Sequence, residues 1–367
     1  MTIAGIIQEL EQWAPPALQE DYDNCGLLTG NAQWPCTGVL VSLDVTADVV
    51  LEARERNCNL IVAHHPILFR GIKRLTGADY VQQTLISAIK ADIAIYAIHT
   101  NLDNVLHGVN GAMARRLQLT NCRILLPKSK RLQKLYTFVP PAHAETVRAA
   151  LFAAGAGHIG NYSECSFSHE GTGTFRPGQA TKPYSGTAGT RQTDPEIKLE
   201  VIFPEWLRTA VVTALLTTHP YEEVAYDIIS LENQYQQVGS GLIGTVSAPM
   251  HEADFLDHVR QSFNLHVIRH TPLRQKPVQT VALCGGAGSF LTEAAKRAGA
   301  DIFITSDVKY HEFFDAGAGM VLADIGHWES EQFTIDLLLD FMSQKFPTFA
   351  VLKTRLKTNP VRYFSGL

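Results

Sequence analysis

The chain has 367 residues, 46% of them apolar and 18% charged, with a formal net charge of −5. That length suits two or three domains with full hydrophobic cores and excludes a disordered chain. The mild acidity argues against a nucleic-acid coat or an anionic membrane surface, since both need a basic face. No apolar run approaches the roughly 18 residues of a spanning helix, and Met1-Thr2-Ile3-Ala4 lacks the basic start of a secretory signal. Six cysteines without a CxxC pair read as reduced thiols of a cytoplasmic protein.

In the first third, Gly38 to Leu43 reads as a buried strand and Thr46 as the cap of a helix reaching about Asn57. Leu60 to Ala63 is a second strand running straight into His64-His65-Pro66. A helix over Asp79 to Lys90 leads to a third strand, Ile93 to Ile98, which ends at His99. Alternating strands and helices imply crossover units and a parallel or mixed sheet.

The middle reads differently. Strand Leu135–Val139, helix Ala142–Ala154, strands Ser163–His169 and Glu196–Phe203, helix Glu205–Thr217 and strand Val224–Leu231 follow the β-α-β-β-α-β order of a ferredoxin-like unit. Residues 170–195, rich in Gly, Thr, Pro and Ser, read as a mobile loop between its halves.

In the last third, Val278–Leu283 is strand-like, Gly285-Gly286-Ala287-Gly288 is a tight turn, and Ser289–Ala298 is helical. Ile302–Thr305 and Met320–Ile325 are strands, the second ending near His327, and Glu329–Phe346 is one strong helix. Residues 39–65 lie over 281–307 without a gap, strand on strand and helix on helix. The expected fold is therefore α/β: a two-lobed core of residues 1–128 and 236–367, with a ferredoxin-like α+β domain inserted at 129–235. Strand ends of both lobes would line one cleft, where open α/β sheets bind ligands.

Functional candidates gather at those strand ends. His64 and His65 close one strand, and Pro66 holds His65 extended. His99 and Asp103 leave the core in one short loop; Asp103 is either a turn cap or a carboxylate ligand beside the histidine pair. His327 and Glu331 are four residues apart, on one face of a helix. His311 is a further candidate. Three imidazoles and two carboxylates suit Zn, Fe, Mn, Co or Ni better than Ca or Mg. Five ligands are too many for one open ion and enough for two, with water positions left. The glycine turn lacks the spacing of a P-loop or of GxGxxG and reads as close packing.

The motifs Tyr22-Asp23-Asn24-Cys25-Gly26-Leu27, Ala63-His64-His65-Pro66, His99-Thr100-Asn101-Leu102-Asp103, Cys284–Ser289, Ser306-Asp307-Val308-Lys309-Tyr310-His311 and Asp324–Glu331 span both core halves. In combination they resemble the dinuclear metal-centre proteins called GTP cyclohydrolase 1 type 2 homologues, the Nif-three-like family. The insert, with His219-Pro220-Tyr221-Glu222-Glu223, resembles the PII- or CutA-like domain of the longer members. Cys25 stands where many relatives have an aliphatic residue. The resemblance implies two divalent transition-metal ions, Zn, Fe or Mn. His64 and His327 would bind one, His65 and Asp103 the other, and Glu331 would bridge. It places His99 and His311 nearby as proton-transfer groups and implies a ring-shaped homohexamer.

Two functions follow as expectations. One is a metal-dependent hydrolase that activates water against a nucleotide-like or cyclic amide substrate, as the family name suggests for the guanine ring of GTP. The other is a non-enzymatic metal-binding, delivery or regulatory protein whose insert binds a small effector. Neither needs nucleic acid or membrane.

Overall fold

The computed structural model describes residues 1–364. The chain divides into two compact units, Met1–Pro127 with Gln237–Leu367, and Lys128–Gln236. Among the described residues it is a mixed α/β fold of three sheets. Among the described residues no helix is long and apolar enough to cross a membrane.

The first unit holds two sheets. One contains β1 (Gly26–Thr29), β2 (Val39–Ser42), β3 (Leu60–Ala63), β4 (Ala94–Ala97) and β15 (Val351–Lys353), in the order β1-β4-β3-β2-β15. The strands β2, β3 and β4 run parallel and are buried throughout. That is why they read as unbroken apolar runs instead of alternating ones. Helices Ala47–Glu55 and Tyr80–Lys90 cover one face through Val49, Ala53, Leu85 and Ala88. Helices Ile3–Trp13 and Thr334–Lys345 cover the other through Ile6, Leu10, Leu338 and Met342.

The second sheet contains β5 (Thr120–Ser129), β10 (Gln234–His251), β11 (Arg269–His270), β12 (Pro277–Ala287), β13 (Ile302–Ser306) and β14 (Val321–Asp324), ordered β11-β14-β13-β12-β10-β5. Its strands β12, β13 and β14 are parallel neighbours, and β11 closes the edge antiparallel to β14. The first sheet repeats this plan, with β1 antiparallel to β4 beside three parallel strands. The overlay of 39–65 on 281–307 is thus matched strand for strand in topology.

The second unit is a four-stranded sheet of β6 (Leu132–Val139), β7 (Ser166–Phe175), β8 (Gln192–Pro204) and β9 (Tyr226–Leu231), ordered β7-β8-β6-β9. Helices Ala144–Ala153 and Arg208–Thr218 pack on one face over Leu135, Val201 and Phe203. This is the ferredoxin-like order.

Two expectations need correction. Much of 170–195 is not loop: β7 and β8 pair antiparallel from Ser166↔Val201 to Phe175↔Gln192, leaving 176–191 as the connection. Most of β7 is exposed, so its backbone ladder forms without the apolar side chains that would have announced it. Residues 329–346 are not one helix. A short helix, His327–Glu331, ends at Gln332, whose side chain donates to the Glu329 carbonyl at 2.9 Å, and the long helix begins at Thr334. That carbonyl would otherwise take the amide of residue 333.

Candidate metal centre

All of the clustered residues belong to the first unit. His64 and His65 continue the β3 ladder, their amides donating to the carbonyls of Ser42 (3.2 Å) and Leu43 (2.9 Å). His99 follows β4, and Asp103 ends the single turn Thr100–Asp103. His327 and Glu331 lie on the helix after β14, entered through Gly326 at φ +89°. Three strand ends thus deliver side chains to one place. Ring centroids are 5.0 Å apart for His64–His65, 5.2 Å for His64–His99 and 5.3 Å for both His65–His99 and His65–His327.

His64 is the most constrained member of the cluster. It is fully buried, and Nδ1 lies 2.8 Å from the carbonyl of Ile98. A carbonyl only accepts, so Nδ1 carries a proton, and in the neutral ring Nε2 presents a lone pair. That lone pair faces Asp103 Oδ1 at 3.6 Å and Glu331 Oε1 at 3.9 Å, beyond hydrogen-bond range. His64 Nε2 and Asp103 Oδ1 are both buried without a hydrogen-bond partner. Acceptors converging in the interior without a donor are costly, and a cation among them removes the cost.

A second group forms around the other oxygen of the same carboxylate. Glu331 Oε2 is 2.9 Å from His65 Nε2 and 3.1 Å from His327 Nε2. The far nitrogens are held in turn: His65 Nδ1 meets Asp44 Oδ1 at 2.8 Å and His327 Nδ1 meets Asp307 Oδ2 at 2.6 Å. Carboxylates behind imidazoles fix ring and tautomer at metal sites. Asp44 is itself anchored by Thr358 Oγ1 at 2.6 Å.

Burial opposes charge on these histidines, but their carboxylate partners win. Asp44 and Glu331 raise His65 to about 9, and Asp307 and Glu331 raise His327 to about 11. The carboxylates separate. Burial lifts Asp103 to about 6 against the pull of His64 and His99, whereas Glu331, more deeply buried, is driven well below the ordinary range by His327 and its neighbours. The site already demands positive charge around Glu331.

The structure brings His64, His65, Asp103, His327 and Glu331 together, with His99 beside them, but it regroups them. Ligand atoms within 4.8 Å of one another form the sets His64/Asp103/Glu331 and His65/His327/Glu331. The family resemblance had implied His64 with His327 and His65 with Asp103. Adjacent residues leaving β3 diverge, so His64 turns inward to Asp103 and His65 outward to His327. His99 adds a nitrogen to a third set with His64 and His65, and its Nδ1 meets Asp23 Oδ1 at 2.8 Å. His311 is not brought in: it lies exposed on the 3-10 turn Tyr310–Ala316 against the Tyr310 ring. The chain turns away after Asp307, and that aspartate reaches the site in its stead.

The supporting carboxylates Asp23, Asp44 and Asp307 were assigned no role from sequence. One signal existed for Asp307: it falls on His65 in the overlay of 39–65 on 281–307. The tight turn expected at Gly285–Gly288 is instead the irregular end of β12, which reaches Ala287 with a register shift after Leu283, and its glycines serve close packing. Gly286 has φ +64°, its amide donates to Ser330 Oγ at 3.0 Å, and a Cβ there would strike the Glu331 carboxylate.

A cavity of about 1030 Å³ opens over the cluster, with Tyr22, Phe69, Phe290, Trp328 and Tyr363 on its walls. The mixed N/O donors fit a transition metal. Fold and site together define a mixed α/β protein with a histidine–carboxylate cluster able to hold metal. The profile of the Duf34/NIF3 (NGG1p interacting factor 3) family matches residues 1–360, and the chain belongs to that family. It is 40% identical over 325 residues to the GTP cyclohydrolase 1 type 2 homolog of Bacillus subtilis, covering 88% of this chain and 87% of that one. It is 33% identical over 367 residues to the protein of the same name from Staphylococcus epidermidis, covering 99% and 100%. A solved Bacillus cereus protein related to NIF3 superposes with a TM-score of 0.88 at 37% identity, over 99% of each chain.

Proposed function

We propose that this protein is a metal-dependent hydrolase working with two divalent transition-metal ions, Zn, Fe or Mn. The observation that carries the reading is the division of five donors into two sets sharing Glu331, one with orphaned acceptors on His64 and Asp103. When bound, such ions activate water and stabilise a developing oxyanion. The chain's own groups do the rest. The Ile98 carbonyl, Asp44 and Asp307 keep the three imidazoles aimed, and the aromatic walls of the cavity seat a flat substrate and exclude water. His99, steadied by Asp23, is placed to carry a proton. The cavity's size and the name shared by the relatives support a nucleotide-like or cyclic amide substrate, with GTP the first to assay. The ferredoxin-like order of Lys128–Gln236 supports a PII/CutA-like insert, and we extend the family's implied homohexamer to this chain.

Elemental analysis after reconstitution with Zn or Mn should find two ions per chain. Glu331→Gln should lower both, and His64→Ala mainly one. The loaded protein, assayed over nucleotides, phosphoesters and cyclic amides, should show turnover that Glu331→Gln abolishes. Two bound ions without turnover on any of them would favour metal delivery over hydrolysis; no bound metal would end both readings. Sedimentation velocity tests the hexamer.

A further inference from the structure

The motif His219-Pro220-Tyr221-Glu222-Glu223 has no part in the metal cluster, and within the second unit it frames a separate cavity of about 570 Å³. That volume is in the range of small-molecule sites. The cavity lies where the helix-free face of the sheet meets the 176–191 connection. Phe138, Phe175, Tyr184 and Tyr221 line it, the two tyrosine rings 5.7 Å apart.

Its polar groups are fixed in place. His219 is buried, donating from Nε2 to the Phe138 carbonyl at 3.0 Å and accepting the Tyr221 amide on Nδ1 at 3.1 Å. Tyr221, so anchored, donates its hydroxyl to Glu196 Oε1 at 2.8 Å. Burial, then Glu196, raises the phenol far above its ordinary range, so it remains a donor. The Glu196 carboxylate lies against β7 at Gly173, where any Cβ would strike it. Glu222 Oε1 accepts the Lys182 amide at 3.0 Å and so ties the connection to the motif. Tyr184 Oη reaches His143 Nε2 at 3.3 Å, which orients the outer wall.

The charge balance selects the ligand. Glu196, Glu222 and Glu223 face the cavity, and Lys198 is the one lysine or arginine on its lining. The Lys198 ammonium is committed to Glu200 Oε1 at 2.6 Å and to the Tyr136 ring at 4.4 Å. Aromatic faces attract organic cations, and carboxylates add charge-assisted hydrogen bonds. An anion would meet uncompensated like charge. A bare metal ion would find no converging set of donors, since none of the candidate metal sets among the described residues falls here.

We propose that this cavity binds a small organic cation, its apolar body between Tyr184 and Phe138 and its N–H groups on Glu196. The test is calorimetric titration of the full-length protein with benzamidine, its neutral isostere benzamide and its anionic isostere benzoate. Benzamidine should bind saturably at one site per chain, about tenfold or more tighter than benzamide, and benzoate should not bind. Glu196→Gln should weaken benzamidine about tenfold. Tyr184→Ala, on an exposed wall that bears no core contact, should weaken it about fivefold. Equal affinity for the three probes, no saturable benzamidine binding, or wild-type affinity in either folded variant would overturn the proposal.

Discussion

At the scale of single residues, the decisive constraint on His64 is a backbone carbonyl. Ile98 accepts the Nδ1 proton, so in the neutral ring the opposite nitrogen is a lone pair, buried and facing carboxylate oxygens. His65 and His327 have Nδ1 held instead by side chains, Asp44 and Asp307, and turn Nε2 toward the shared Glu331 carboxylate. Removing that support should loosen metal without unfolding the chain. Asp44→Asn and Asp307→Asn are each expected to lower metal affinity about 10–100-fold, read by chelator competition with the circular dichroism unchanged. Asp23→Asn, which supports His99 and none of the five proposed ligands, should leave that affinity near wild type. If it empties the site instead, His99 is a ligand.

At the scale of elements, the C-terminal strand β15 is clipped to the first sheet by one carboxylate on a helix. Glu52 Oε2 accepts Thr354 Oγ1 at 2.5 Å and Oε1 accepts the Arg355 amide at 3.0 Å, while Arg56 joins Glu52 at 2.6 Å and the Lys353 carbonyl at 2.8 Å. Burial acts to raise the Glu52 carboxyl, but these donors hold it below its ordinary value. A depressed folded value means that the stabilisation is complete above the unfolded value, about 4.3, and is lost as pH falls through the folded one. Glu52→Gln should therefore cost about 1 kcal/mol near neutral pH, a difference that shrinks as wild type and variant are compared in increasingly acidic urea melts. A difference that grows with acid would show the sign to be wrong.

At the scale of the whole molecule, the insert interrupts the first unit at a point where the two cut ends lie together. A Cβ on Gly239 would sit 2.7 Å from Pro127 Cα. Lys128–Gln236 also carries its own core, with Leu135, Val147, Leu199, Val201 and Phe203 buried. Replacing it by a short glycine-serine link should leave a folded first unit whose metal content matches the full chain, because all five proposed ligands lie outside the insert. Phe203→Ala, at a cost of about 3–5 kcal/mol to the second unit, should likewise spare metal content. Loss of metal in both variants would place a determinant of the site inside the insert.

Local chemistry announced the elements that are buried on both faces or capped. Strands β2, β3 and β4 are continuous apolar runs, Thr46 caps its helix as read, accepting the Val49 amide at 3.3 Å, and the repeated strand plan was visible as an overlay. Exposed or long strands such as β5, β7 and β10 escaped, because a ladder is made by backbone and leaves little mark where side chains meet water. The identity of the clustered residues was likewise legible: histidines and acids at strand ends are rare enough to stand out. Which nitrogen faces which oxygen was not. Adjacent residues such as His64 and His65 part by backbone direction, and only the approach of Ile98, Asp44 and Asp307 from distant positions sets each tautomer. His311 and Asp307 make the same point from the other side. The sequence offered both at one strand exit, and the turn of the chain in space kept the aspartate at the site and sent the histidine to the surface.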